Sequence, residues 1–109
     1  MAEPTLAAIF GNDASQTATQ LIISKADLAT VGLTASASST PESLLAAIIA
    51  LAQPNLGEVG YDANLDQSIV ITDQGDSLTS RGSVTYRLKS KTIEFYKPDT
   101  LGAFDPDDY

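Results

Sequence analysis

The sequence predicts an α+β fold: a single domain with an antiparallel sheet of about five strands, one buried helix against it, and extended termini. Three observations carry this. The segment Thr40–Gln53 has the start signal, stop signal and apolar content of a helix. Several short runs rich in β-branched residues alternate apolar and polar side chains. Glycine- and proline-bearing turns separate them, with no internal repeat or heptad. A chain of 109 residues fits one domain.

Thr5–Phe10 (TLAAIF) is a short apolar run closed by Gly11-Asn12-Asp13, a strong turn signal. Thr17–Ser24 (TATQLIIS) reads as a strand, and the two runs are expected to pair as a hairpin across Gly11–Gln16. Residues 29–40 are small and polar and read as a surface loop.

The helix is expected over residues 41–53. Thr40 is a good N-cap, and Pro41 takes the first helical position, where its missing N–H costs nothing. Glu42 complements the positive end of the helix dipole, and Pro54 stops the helix. Leu44, Ile48 and Leu51 form one stripe, with Leu45, Ile49 and Ala52 beside it, so the helix is expected to be buried on more than one side.

Pro54–Asn64 reads as a connection. Leu65–Asp73 alternates as a strand, and Gln74-Gly75-Asp76-Ser77 reads as a turn. From Ser83, Val84, Tyr86 and Leu88 point one way while Thr85, Arg87 and Lys89 point the other. Ile93 and Phe95 then break the parity, which places a β-bulge or tight turn at Lys89–Lys91. Pro98 ends the sheet, giving a compact domain over 1–97 with an N-terminal arm at Met1–Pro4 and an acidic tail over 98–109.

Charge and residue inventory narrow the function. Fourteen acids against six bases give a net charge of −8, which argues against non-specific nucleic-acid binding and against anionic membranes. The longest apolar run, Leu44–Ala52, is far short of the roughly 20 residues that cross a bilayer. The acid-bearing start MAEPTLAAIFG does not read as a secretory signal. Histidine and cysteine are both absent, which removes the commonest general base, thiol nucleophiles and the ligands of ordinary zinc sites. No phosphate-loop, dinucleotide or nucleophile-elbow motif occurs, and no acidic cluster matches a calcium loop. The expectation is a non-enzymatic protein with no cofactor and no metal.

What stands out is the segregation of charge near the end. Residues 81–97 hold five of the six bases, and 98–109 hold four acids and no base. Arg87, Lys89 and Lys91 are the expected contact residues of the strand. In the tail, Leu101, Phe104 and Tyr109 are apolar anchors, and Asp105, Asp107 and Asp108 would meet cations at the rim of a groove. Adhesion to an adjoining molecule is the expected mode of action.

The segments TLAAIFG, TATQLIISKADL, LTSRGSVTYRLKSKTIEFYKPDT and FDPDDY resemble small structural proteins of tailed phages of cyanobacteria and related prophages. The resemblance covers both ends of the chain and is weaker over the middle. It implies a virion component assembled in the host cytoplasm and present in many copies, foremost a capsid decoration (cement) protein that bridges adjacent capsid subunits. A small head–tail connector or tail component is second. The implied partners are the major capsid protein or other virion subunits and further copies of the chain, with a trimer as one candidate. From another class, an acidic regulatory or inhibitory module remains as a rival, although the acids are scattered and the basic strand interrupts them.

Overall fold

In the computed structural model, residues 3–99 and 102–109 are described. The expected arm at Met1–Pro4 is therefore described at Glu3 and Pro4 alone, and the anchor Leu101 lies outside the described residues. The chain runs through helix α1 (Leu6–Phe10), strands β1 (Ser15–Gln16) and β2 (Leu21–Ile22), and helices α2 (Lys25–Leu28), α3 (Pro41–Ala52) and α4 (Glu58–Ala63). Two long strands follow, β3 (Ile69–Arg81) and β4 (Val84–Phe95). Single 3₁₀ turns cover Ala29–Val31, Gln53–Asn55 and Pro106–Asp108.

The fold is α+β, but the single sheet of about five strands is not formed. The described strands make two separate antiparallel pairs, β1–β2 and β3–β4. Local capping explains much of the difference. Thr5 Oγ1 accepts a hydrogen bond from the Ala8 N–H at 3.1 Å, so Thr5–Phe10 starts a helix instead of a strand. Gly11, at φ +104°, ends it. Deprived of that partner, Thr17–Ser24 pairs only through Leu21–Ile22, against Ser15–Gln16.

The α3 helix forms as expected. Thr40 Oγ1 accepts from the Ser43 N–H at 3.2 Å and Pro41 opens the first turn. Its burial is narrower than expected: Ala47 and Ala52 are buried, while Leu45 is 58% exposed. The connection over Pro54–Asn64 is not plain loop, since it holds the Gln53–Asn55 turn and α4.

The core is small. Ala52, Leu56 and Ile71 are buried together, with Ile9, Ile49 and Ile69 packed against them. Leu28 and Val70 are almost wholly enclosed. Polar ties fasten the parts around this cluster. Asn55 Nδ2 donates to the Ala8 carbonyl at 2.8 Å, joining α1 to the end of α3. Ile71 N–H donates to the Leu56 carbonyl at 2.8 Å, fixing the root of β3. Gln67, 4% exposed, donates from Nε2 to the carbonyls of Gly57 and Ile69 at 3.1 and 2.9 Å. A Cβ on Gly60 would stand 2.9 Å from Gln67 Oε1, so a glycine in α4 makes room for this amide.

The β3–β4 hairpin dominates the shape. The chain does not reverse at Gln74–Ser77. It continues to Arg81 and reverses at Gly82-Ser83, between the paired residues Arg81 and Val84. Gly82 has φ +64° and Ser83, like every described non-glycine residue, does not have positive φ, so this is a two-residue loop with glycine first, the II′ arrangement that matches strand twist. The register Asp73↔Lys91 followed by Asp76↔Lys89 sets two residues of β3, Gln74 and Gly75, opposite Ser90 alone. The bulge expected within Lys89–Lys91 is therefore not there: β4 runs through regularly, the extra residue is on β3, and the apolar side chains of β4 change face without one. Beyond it the hairpin leaves the helices. The radius of gyration is 16.2 Å, against about 13 Å for a compact chain of this length.

Gln67→Leu should lower stability by about 1–3 kcal/mol by taking a donor from the Ile69 carbonyl and leaving that of Gly57 with the Tyr61 N–H, read as a fall in the urea midpoint at unchanged slope. Gly82→Val should cost about 1–2 kcal/mol through the left-handed backbone it imposes on a side chain, read as loss of the cross-strand contact between Arg81 and Val84 in NMR spectra.

Candidate interaction surface

Strand alternation gives the projecting hairpin two different faces. On one, Val84, Tyr86 and Leu88 stand opposite Arg81, Thr79 and Ser77. Among the described residues no helix or further strand packs on this face, and all three apolar side chains are exposed by about half. The guanidinium of Arg81 lies 4.9 Å from the Tyr86 ring centroid, so the face offers an aromatic ring and a cation as one unit.

The other face carries the charges. Lys89 Nζ lies 3.1 Å and Arg87 Nη1 3.8 Å from Asp76 Oδ2. Lys91 Nζ donates to Asp73 Oδ1 and to Gln53 Oε1, both at 2.6 Å. The bulge makes this possible. Asp73 and Asp76 are three residues apart and would face opposite ways on a regular strand; the extra residue turns both toward the cations. Leu78 sits among these groups, 65% exposed.

The expected contact residues therefore fall into two sets on one side of β4. Arg87, Lys89 and Lys91 line the arm, each with an aspartate beside it. Phe104 and Tyr109 pack at the root, on Phe95 of the same chain, with ring centroids 5.0 and 5.4 Å from it. Phe104 and Tyr109 also stack on each other at 5.5 Å. Asp108 Oδ2 pairs with Lys97 Nζ at 3.1 Å, and Asp105 Oδ1 accepts from the Asp107 N–H at 3.0 Å to start the closing 3₁₀ turn. Asp107 itself is exposed.

Reading the charges along the sequence hid two things. The apolar side of β4 was legible as an alternation, but that no other strand covers it was not. A second bare patch lies on α4 and the residues after it. Val59 is 85% and Leu65 97% exposed, among the exposed carboxylates of Glu58, Asp62 and Asp66. The clue to this patch was the spacing of Glu58, Val59 and Asp62, which one helical turn places together.

Elsewhere the surface offers little for chemistry. A groove of about 720 Å³ between the Val31–Thr40 segment and α3 is lined by small and hydroxyl side chains, among them Ser36, Thr40, Ser43 and Ala47, with no ionisable group. Among the described residues, no cluster of three acids forms a metal cradle and no helix is long and apolar enough to cross a membrane. Comparison with known proteins gave no match: no family model, no curated protein and no solved structure is significantly similar to the chain.

The hydrogen bond from Lys91 holds the Asp73 carboxyl below its ordinary value of 3.8, helped by the Gln53 amide and the Lys91 charge. A carboxylate lowered in the folded state stabilises above its unfolded value and loses that contribution as pH falls through the folded value. An NMR titration of Asp73 should give a midpoint below 3.8, and Lys91→Met should move it upward. A midpoint unaffected by that substitution would mean the pair is not formed in solution.

Proposed function

We propose that this chain is a non-enzymatic structural subunit of a phage virion, of the capsid-decoration type, which bridges neighbouring capsid subunits. One observation carries the adhesive part of this reading: a long hairpin leaves the body with Val84, Tyr86 and Leu88 bare on one face. Two strands alone are marginal in water and gain stability when something covers a face. The virion setting is supported by the resemblance of the terminal segments to phage structural proteins, and the major capsid protein is the implied partner.

The mechanism is burial of apolar area with charge matching around it. The hairpin supplies the apolar part. The pairing of Arg87, Lys89 and Lys91 with Asp73 and Asp76 limits their pull on an acidic partner, so they set orientation more than strength. Phe104–Tyr109, folded against Phe95, thickens the root from which the hairpin projects.

A second reading, a small head–tail connector, is favoured by the contrast between a cationic arm and an acidic body, since head-to-tail contacts of one chain close into rings. Quantitative mass spectrometry of purified particles separates the two. A decoration protein should approach the abundance of the major capsid protein. Abundance of a single ring would replace this reading by the connector, and absence from particles would overturn both.

A further inference from the structure

We infer that the hairpin arm of one copy docks on the α4 ledge of a second copy, in a head-to-tail contact. This rests on the reading of the chain as an assembling subunit and names one of its partners.

The two surfaces match in chemistry. From Asp73 to Lys91 the arm carries Arg81, Arg87, Lys89 and Lys91 against Asp73 and Asp76, with Arg81 alone of the four cations on the open face and outside salt-bridge distance of a carboxylate among the described residues, while Lys25 and Lys97 are the sole bases in the rest of the chain. The arm is thus the cationic part of a strongly acidic molecule, and its open face presents Val84, Tyr86 and Leu88 beside Arg81. The ledge presents the counterpart, Val59 and Leu65 bare among Glu58, Asp62 and Asp66. Among the described residues none of these three acids forms a salt bridge. A groove of about 460 Å³ opens between Leu65 and Tyr96 with Asp62 on its lining, a seat for an entering side chain; the Lys97 that also lines it is met by Asp108.

Other bare apolar groups fit less well. Phe104 already stacks on Phe95 and Tyr109. Leu21 and Ile22 stand between Gln20 and Ser24, with no acid adjacent to meet the arm's cations. Arm-to-arm pairing through the apolar faces would bring Arg81 of each copy toward the other. The ledge provides both apolar surface and opposite charge, and it lies on a different part of the molecule, so the contact is heterologous and leaves one copy with a free ledge and the other with a free arm.

Sedimentation velocity of the full chain at about 1 mM should reveal species larger than a monomer. They should weaken between about 0.01 M and 0.1 M salt, as the Debye length falls from about 30 to 10 Å. Leu88→Asp and Arg81→Glu on the arm, and Leu65→Asp on the ledge, should each shift the mass toward monomer. Mixing Leu88→Asp with Leu65→Asp decides the geometry: one intact arm meets one intact ledge, so the mixture should stop at heterodimers. A misfolded variant cannot give that rescue, and circular dichroism of each variant alone checks its fold. Loss of association with the arm variants but not with Leu65→Asp would overturn the inference in favour of arm-to-arm pairing. A wild-type chain that stays monomeric overturns it outright. Its presence in particles would in that case leave the structural role standing; self-association without incorporation into particles would do the reverse.

Discussion

A two-stranded sheet leaves both its faces to be covered by something else, and here the helices cover only the root. Val70 and Ile71 are enclosed by the body, and from Asp73 outward every residue of β3 is exposed. The hydrogen bond from Ile71 to Leu56 and the Gln67 amide fix where the hairpin starts. Nothing comparable holds its far half. The elongated outline and the bare face of β4 both follow from this one shortage of cover, and the proposed adhesive role draws on it. The helical part cannot supply more, because its own buried cluster is small and built largely of alanine, leucine and isoleucine.

The bulge then decides what the hairpin can do electrostatically. With Asp73 and Asp76 on the same side as Arg87, Lys89 and Lys91, a segment that is basic along the sequence becomes a nearly balanced ladder in space. Exposed pairs of this kind contribute about 0–1 kcal/mol each, so they add little to folding. Their effect is to keep the strands in register and to discourage edge-to-edge addition of further strands, which charged edges resist. Lys91 has a further part: its bond to Gln53 fastens the bulge to the end of α3. What remains for a partner to read is therefore the opposite face, where Arg81 has no carboxylate within salt-bridge distance among the described residues.

The parts of this arrangement legible in the sequence were those set by neighbours in the chain. The α3 helix is written in Thr40, Pro41, Glu42 and Pro54, and it forms there. The apolar side chains change face between Leu88 and Ile93, yet β4 itself carries no extra residue; the bulge belongs to β3, and the two faces answer to different surroundings, with Phe95 packed on Phe104 and Tyr109 at the root and Val84, Tyr86 and Leu88 open beyond it. Gln74-Gly75-Asp76-Ser77 has the composition of a reversing turn, yet Gly75 serves a bulge at φ +85°. The real turn, Gly82-Ser83, was a weaker but sufficient signal, because glycine followed by serine between two alternating runs suits a II′ loop. The sheet was over-counted because strand propensity says nothing about available partners, and Thr5–Phe10 was claimed by its own cap. For the surface, the sequence located the cations but not the aspartates that meet them, since those contacts cross the hairpin.

The strength of a contact through such a surface can be bounded. Fully burying a Val, Leu or Phe-sized side chain gives about 1.5–3 kcal/mol, and Val84, Tyr86 and Leu88 are already about half covered. The three together would then yield on the order of 2–5 kcal/mol, and Val59 and Leu65 on a facing ledge about 3–6 more. Association costs an estimated 4–15 kcal/mol in lost freedom. One arm on one ledge is therefore a weak contact, of about millimolar strength, which suits a subunit that stays largely separate until it is concentrated or gathered. When several such contacts close a ring, or when a capsid lattice holds copies side by side, each later contact forms at high effective concentration and the same modest surface becomes sufficient. An arm that bound tightly in isolation would instead drive open-ended chains, since a head-to-tail contact that does not close keeps growing.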